Sequence, residues 1–134
     1  MTKPETPLLT VDAVIENHGR IVLIKRKNPP FRNCAAIPGG FVDIGETVEN
    51  ACIREAKEET GLDIEITRLI GVYSDPQRDP RGHVVSIAFL CTNKSDKLKS
   101  GDDAKEAGWY KLDVLPPLAF DHKKIIDDAK EVLN

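Results

Sequence analysis

Residues 47–60 carry helix formers throughout and run into Gly61, a residue suited to closing a helix in the left-handed conformation. At 3.6 residues per turn, Val48, Ala51 and Cys52 project to the same side as Glu55, Glu58 and Glu59. One stripe of this helix is therefore apolar in its first half and anionic in its second. A solvated face would explain three glutamates alone, but not the apolar half that precedes them. A stripe that begins buried and ends charged reads as the wall of a cleft.

The glutamates stand at i, i+3 and i+4, so their carboxylates converge. Like charges this close repel unless a cation lies among them. Hard oxygen ligands at this spacing suit Mg²⁺, with Mn²⁺ as a substitute, and nothing nearby suits zinc. Before the helix, Gly39-Gly40 lets the backbone approach a ligand closely, and an outward-turned carbonyl could join a metal shell. Glu46 lies at the helix entry and Arg54 precedes Glu55. An arginine among four carboxylates reads as a clamp on Glu46 or Glu58 that orients the ligands. A surface pair between Arg54 and Glu58 is the plainer alternative.

Residues 8–16 and 20–26 are rich in β-branched side chains around Asn17-His18-Gly19, the pattern of a hairpin. Asp63 to Tyr73 and His83 to Thr92 read as two more strands, separated by the Pro- and Arg-containing segment 75–82. A short strand is expected around Trp109, and Pro116-Pro117 precedes a last helix with Asp121 as N-cap. Mixed strands with one internal and one terminal helix point to an α/β (α+β) sandwich and not to a doubly wound sheet.

A chain of 134 residues fits one domain spanning residues 1–134, with a core that needs no staples. The formal charge of -3 leaves no basic footprint for nucleic acid, though a few local arginines suffice for a small anionic substrate. The three cysteines, Cys34, Cys52 and Cys91, are widely spaced and read as reduced, buried thiols. The N-terminus lacks a signal-like apolar region, and the run from Val84 to Cys91 is too short to span a bilayer. A cytoplasmic protein without membrane contact is expected.

Gly40, Glu46, Arg54-Glu55, Glu58-Glu59 and Gly61 stand at the offsets of the Nudix box, and Ala56 and Leu62 fill its apolar slots. The chain resembles Nudix hydrolases over nearly its whole length, and Pro38-Gly39-Gly40-Phe41 ahead of the box is similar to that family as well. The resemblance implies an α/β/α sandwich with a mixed β-sheet and hydrolysis of a nucleoside diphosphate derivative. It also implies Mg²⁺ ligation by Glu55, Glu58 and Glu59 with the Gly40 carbonyl, and a catalytic role for Arg54. The general base lies either in the box or in a later loop, where Asp102, Asp103 and Glu106 are candidates.

The segment Arg78-Asp79-Pro80-Arg81 resembles the ADP-ribose pyrophosphatase branch. That likeness implies cleavage of ADP-ribose to AMP and ribose 5-phosphate, with Arg78 and Arg81 as substrate contacts, and a possible homodimer. Relatives often carry tryptophan three residues before Pro-Gly-Gly, where this chain has Ala35; Phe31 or Tyr73 could stack on a base instead, with a core or rim role the plainer reading of each. Two alternatives stay open: a house-cleaning nucleoside triphosphate pyrophosphohydrolase, and a non-catalytic domain that senses ADP-ribose.

Overall fold

The computed structural model describes residues 3–96, 98 and 106–133. Strands β1 (Leu8–Asn17) and β2 (Arg20–Lys25) form the expected hairpin. Its turn is His18-Gly19, both at positive φ, the geometry that follows the right-handed twist of paired strands. Two short strands, β3 (Ala35–Ala36) and β4 (Gly39–Phe41), follow. Neither is expected from the sequence, because pairing over two or three residues leaves no periodicity to read.

Helix α1 (Val48–Thr60) starts on Thr47, whose hydroxyl accepts from the Asn50 amide, and ends on Gly61 at φ 76°. Strands β5 (Ile64–Tyr73), β6 (Val84–Asn93) and β7 (Ala107–Lys111) and helix α2 (His122–Val132) complete the chain.

The sheet is mixed. β1 and β6 run parallel, with Leu8 opposite Val84 and Ile15 opposite Cys91; the other pairings between the described strands are antiparallel, and an isolated parallel bridge joins Ala35 to Leu118. β1 also changes partner along its other edge, from β4 at Thr10–Asp12 to β2 at Glu16–Asn17.

Alternation along the two central strands sorts the core into two layers. Val11, Ala13 and Ile15 of β1, with Phe89 and Cys91 of β6, pack with Ala51, Cys52 and Ala56 of α1. Val14, Ala88 and Leu90 pack on the other side with Ile125, Ile126 and Ala129 of α2. The sheet thus lies between two helices, as the alternation and the two amphipathic segments require. Cys52 and Cys91 are buried, as expected for small apolar side chains, whereas Cys34 is only partly so. Among the described residues no helix is long and apolar enough to cross a membrane.

Candidate active site

A cleft of about 400 Å³ brings β1, the 37–41 turn, α1, the 75–82 loop and the start of α2 together. Glu55 and Glu59 line it with Gly39 and Gly40. Glu59 is buried, at 6% exposure, and one of its oxygens accepts the Gly39 amide at 3.0 Å. Glu58 faces outward along the helix and its side chain is half-exposed. The apolar half of the stripe is seated as the sequence demands, with Ala51 and Cys52 fully buried.

Close approach explains both glycines. A Cβ on Gly39 would stand 2.1 Å from the Val11 carbonyl oxygen, and one on Gly40 would stand 2.4 Å from Glu55 Oε2. The backbone at Gly40 therefore lies directly against the carboxylate of Glu55.

Arg54 is the hub of the acidic cluster. Its Nε and Nη2 donate to the two oxygens of Glu46 at 2.7 and 2.9 Å, and Nη1 donates to Glu55 at 2.7 Å. Nη1 also reaches Glu58 at 3.3 Å, and Nη2 donates to the Phe41 carbonyl at 3.1 Å. The clamp expected of Arg54 is thus formed, and it extends to the strand before the helix. The Arg54 hydrogen bond, reinforced by the Asp43 amide, holds the Glu46 carboxyl down at about 2. Glu46 in turn raises Arg54 above its already high value, so both stay ionised.

The chemistry of the donors fits a hard divalent cation. Glu55, Glu58, Glu59 and the Gly40 carbonyl supply only oxygen, on a rigid helix and a turn pressed against it. Among the described residues, no three acidic, histidine or cysteine side chains are gathered tightly enough to hold an ion as they stand. Arg54 holds Oε1 of Glu55 and reaches both oxygens of Glu58, while Oε2 of Glu55 lies on the Gly40 side.

The 75–82 loop delivers both arginines to the cleft wall, each already paired. Arg78, with its side chain 5% exposed, donates from Nε and Nη2 to the two oxygens of Asp121 at 2.9 and 2.7 Å. Burial opposes its charge, but these bonds leave its affinity for the proton raised. Arg81 donates to buried Asp79 at 2.8 Å while its own side chain stays 46% exposed. Its guanidinium lies 5.6 Å from the Phe120 ring and 5.9 Å from the Phe41 ring.

Asp12, Phe120 and His122 are among the cleft residues that escaped the sequence reading. Phe120 contacts Phe31, with ring centroids 4.8 Å apart, and Arg26 lies 4.9 Å over it. The rings at the cleft are thus Phe41 and Phe120, with Phe31 behind Phe120. Tyr73 does not serve, since it is buried in the layer under α2 with its hydroxyl donating to Asp128 at 2.7 Å. Asp102 and Asp103 lie outside the described residues. Glu106 is exposed and does not line the cleft.

A family model for the NUDIX domain matches residues 6–129. The chain belongs to the Nudix family. Within it, this Nudix chain is 59% identical over 122 residues to an ADP-ribose pyrophosphatase from Methanocaldococcus jannaschii, covering 91% of the chain and 72% of that relative. Among solved structures, it superposes on the NUDIX domain of Shewanella oneidensis NrtR complexed with ADP ribose, with a TM-score of 0.84 at 31% identity. That match covers 97% of this chain and 90% of the other.

A bifunctional NMN adenylyltransferase/ADP ribose pyrophosphatase from Francisella tularensis, complexed with AMP and a manganese ion, gives a TM-score of 0.82 at 29% identity. There the match covers 97% of this chain and 43% of that protein. Divalent metal is the usual cofactor of Nudix hydrolases, in keeping with the oxygen-only donor set around Glu55.

Proposed function

We propose that this Nudix domain is a divalent-metal-dependent diphosphatase that cleaves ADP-ribose to AMP and ribose 5-phosphate. The observation that carries the reading is one cleft in which Glu55, Glu59 and Gly40 face Arg81 and the Phe120 ring. Its likeness to the Methanocaldococcus jannaschii ADP-ribose pyrophosphatase supports the choice of substrate. An aromatic face suits a nucleobase, a free-sided guanidinium suits a diphosphate, and the carboxylates suit a Mg²⁺ or Mn²⁺ ion.

In this reading Glu55, Glu58, Glu59 and the Gly40 carbonyl would hold the metal, whose charge would neutralise the diphosphate and acidify a water. Water adds to one phosphorus, the bond from that phosphorus to the bridging oxygen breaks, and the proton passes to a carboxylate. Arg54 keeps the box glutamates aimed. Arg81 stabilises charge on the phosphoryl oxygens, with Asp79 holding it in place. Arg78, spent on Asp121, braces the loop that presents Arg81.

A Mg²⁺-dependent screen of nucleoside diphosphate sugars and nucleoside triphosphates tests the reading. AMP and ribose 5-phosphate from ADP-ribose are expected. Pyrophosphate and a monophosphate from a triphosphate would instead identify a house-cleaning enzyme. The likeness to the NrtR domain complexed with ADP ribose favours a second reading, binding of ADP-ribose without turnover. Tight binding with no products in the same screen would establish it.

A further inference from the structure

His122 is the first residue of α2 and is 5% exposed, yet its ring lines the cleft. Its surroundings are set by a short parallel ladder between the segment after Pro116-Pro117 and β3. The Ala35 amide donates to the Pro117 carbonyl at 3.2 Å, and the Ala119 amide donates to the Ala35 carbonyl at 2.8 Å. Regular continuation would pair the Ile37 amide with the Ala119 carbonyl. That carbonyl is already taken by the His122 amide at 3.1 Å, where the helix begins. The Ile37 amide donates instead to Nδ1 of His122 at 3.0 Å, in a buried bond between segments far apart in sequence.

A side chain thus replaces one rung of a sheet, one residue before Pro38-Gly39-Gly40. That turn is also held by the pairing of β4 with β1, by the Ala13 amide on the Pro38 carbonyl at 2.8 Å and by the Gly39 amide on Glu59 at 3.0 Å. Because Ile37 donates, Nδ1 must carry a lone pair, and the ring proton sits on Nε2 towards Asp12, 3.6 Å away. Asp12 is itself fixed by the Ser86 hydroxyl and lies under Gly39. On the other side, the neighbouring residue Asp121 grips Arg78.

We propose that His122 is a positioning residue for the metal site: by accepting the Ile37 amide it fixes the turn that carries Gly40 and pins Glu59, and ties that turn to the arginine loop through Asp121. An imidazole that served only to fill the core under α2 would need no acceptor at this position. The inference rests on the metal-dependent reading above, but two of its readouts need neither substrate nor turnover.

The test compares His122→Asn, whose side-chain oxygen stands near the place of Nδ1, with His122→Gln, which carries its acceptor further out, and with His122→Ala. Amide exchange at Ile37 and Gly39, Mn²⁺ binding without substrate, and kcat and KM for ADP-ribose are measured for each. The Asn variant should keep both amides protected and hold Mn²⁺ affinity and kcat within about threefold of the parent. The Gln and Ala variants should lose that protection and weaken Mn²⁺ affinity and kcat by about 10-fold or more, with KM changed far less, as expected for groups that orient ligands. Equal Mn²⁺ affinity in the Asn and Gln variants would overturn the proposal, as would failure of all three to fold, which assigns the ring to stability alone. Absence of ADP-ribose hydrolysis in the parent would defeat the substrate reading and leave the exchange and Mn²⁺ results to decide this one.

Discussion

Arg78 and Asp121 meet through two charge-assisted hydrogen bonds, at 2.9 and 2.7 Å, with the guanidinium almost out of solvent. This pair joins the 75–82 loop to the start of α2, and it uses the carboxylate that would otherwise cap the helix. Asp121 occupies the N-cap position but makes no side-chain capping bond. Removing Arg78 leaves Asp121, its side chain 23% exposed, as a part-buried carboxylate without its partner. Arg78→Ala should therefore lower stability by about 1–3 kcal/mol, less than for a fully buried pair, read as a shift of the urea midpoint. A loss near that of an ordinary exposed pair would show that water replaces Arg78 at Asp121.

Arg81 should behave differently. Its side chain is half in water and its partner Asp79 is supplied from two residues away, so folding asks little of it. Arg81→Lys keeps the charge and loses the fork, at a cost of roughly 1.5–3 kcal/mol in kcat/KM for ADP-ribose if it holds a phosphoryl oxygen. Unchanged kcat/KM with an unchanged melting temperature would assign the residue to a wet turn.

The two glycines of the turn should fail in separate ways. Gly39→Ala drives a Cβ onto the backbone at Val11, which has no room to yield, so the protein should be strongly destabilised. Gly40→Ala meets only the end of the Glu55 side chain, which can swing aside. That variant should fold but lose activity, by circular dichroism and product formation. Full activity in Gly40→Ala would remove the close approach from the mechanism.

Glu58→Gln and Glu59→Gln should each lower kcat by on the order of a hundredfold or more with the fold intact, as loss of a metal ligand would. Glu59→Gln keeps an oxygen for the Gly39 amide, so its stability should change little. Parental turnover in either variant would take that residue out of the site.

Acid should loosen the protein in two stages. Burial lowers the affinity of His122 for its proton, against the pull of Asp12 and Asp121, and Arg78 and Arg26 add to the lowering. The unfolded chain then binds more protons than the folded one below its ordinary value of 6.5, so stability falls as pH drops through that point and is unaffected above it. Glu46 moves from 4.5 to about 2, and its contribution, present above 4.5, is lost as pH falls towards 2. The melting temperature should decline below about pH 6.5, and His122→Asn should remove the first stage. A flat profile between pH 5 and 7 would contradict the depressed histidine.

The helix with its two-natured stripe, the hairpin and the long strands were legible because each has local periodicity or a turn with its own chemistry. Arg54 was legible as a clamp because its partners lie within one helical turn or at the helix entry. The far wall was not. Phe120 and His122 show no pattern of their own and reach the cleft only because the segment after Pro117 runs beside Ala35. Asp12 did leave a trace, as one carboxylate amid the apolar run of β1. Tyr73 takes the core role that is its plainer reading, because α2 covers its face of the sheet.

The parallel pairing of β1 with β6 has a consequence for synthesis. β1 emerges first, yet the partner along the length of its one edge is made only after α1, β5 and the arginine loop have all appeared. Such non-local pairing makes folding slow compared with hairpins of similar stability. Until β6 arrives, that edge of β1 stays open and its apolar residues are available to other chains. The ribosome therefore releases the acidic helix before the sheet that aims it exists, and a holding chaperone would have its site on the first strand made.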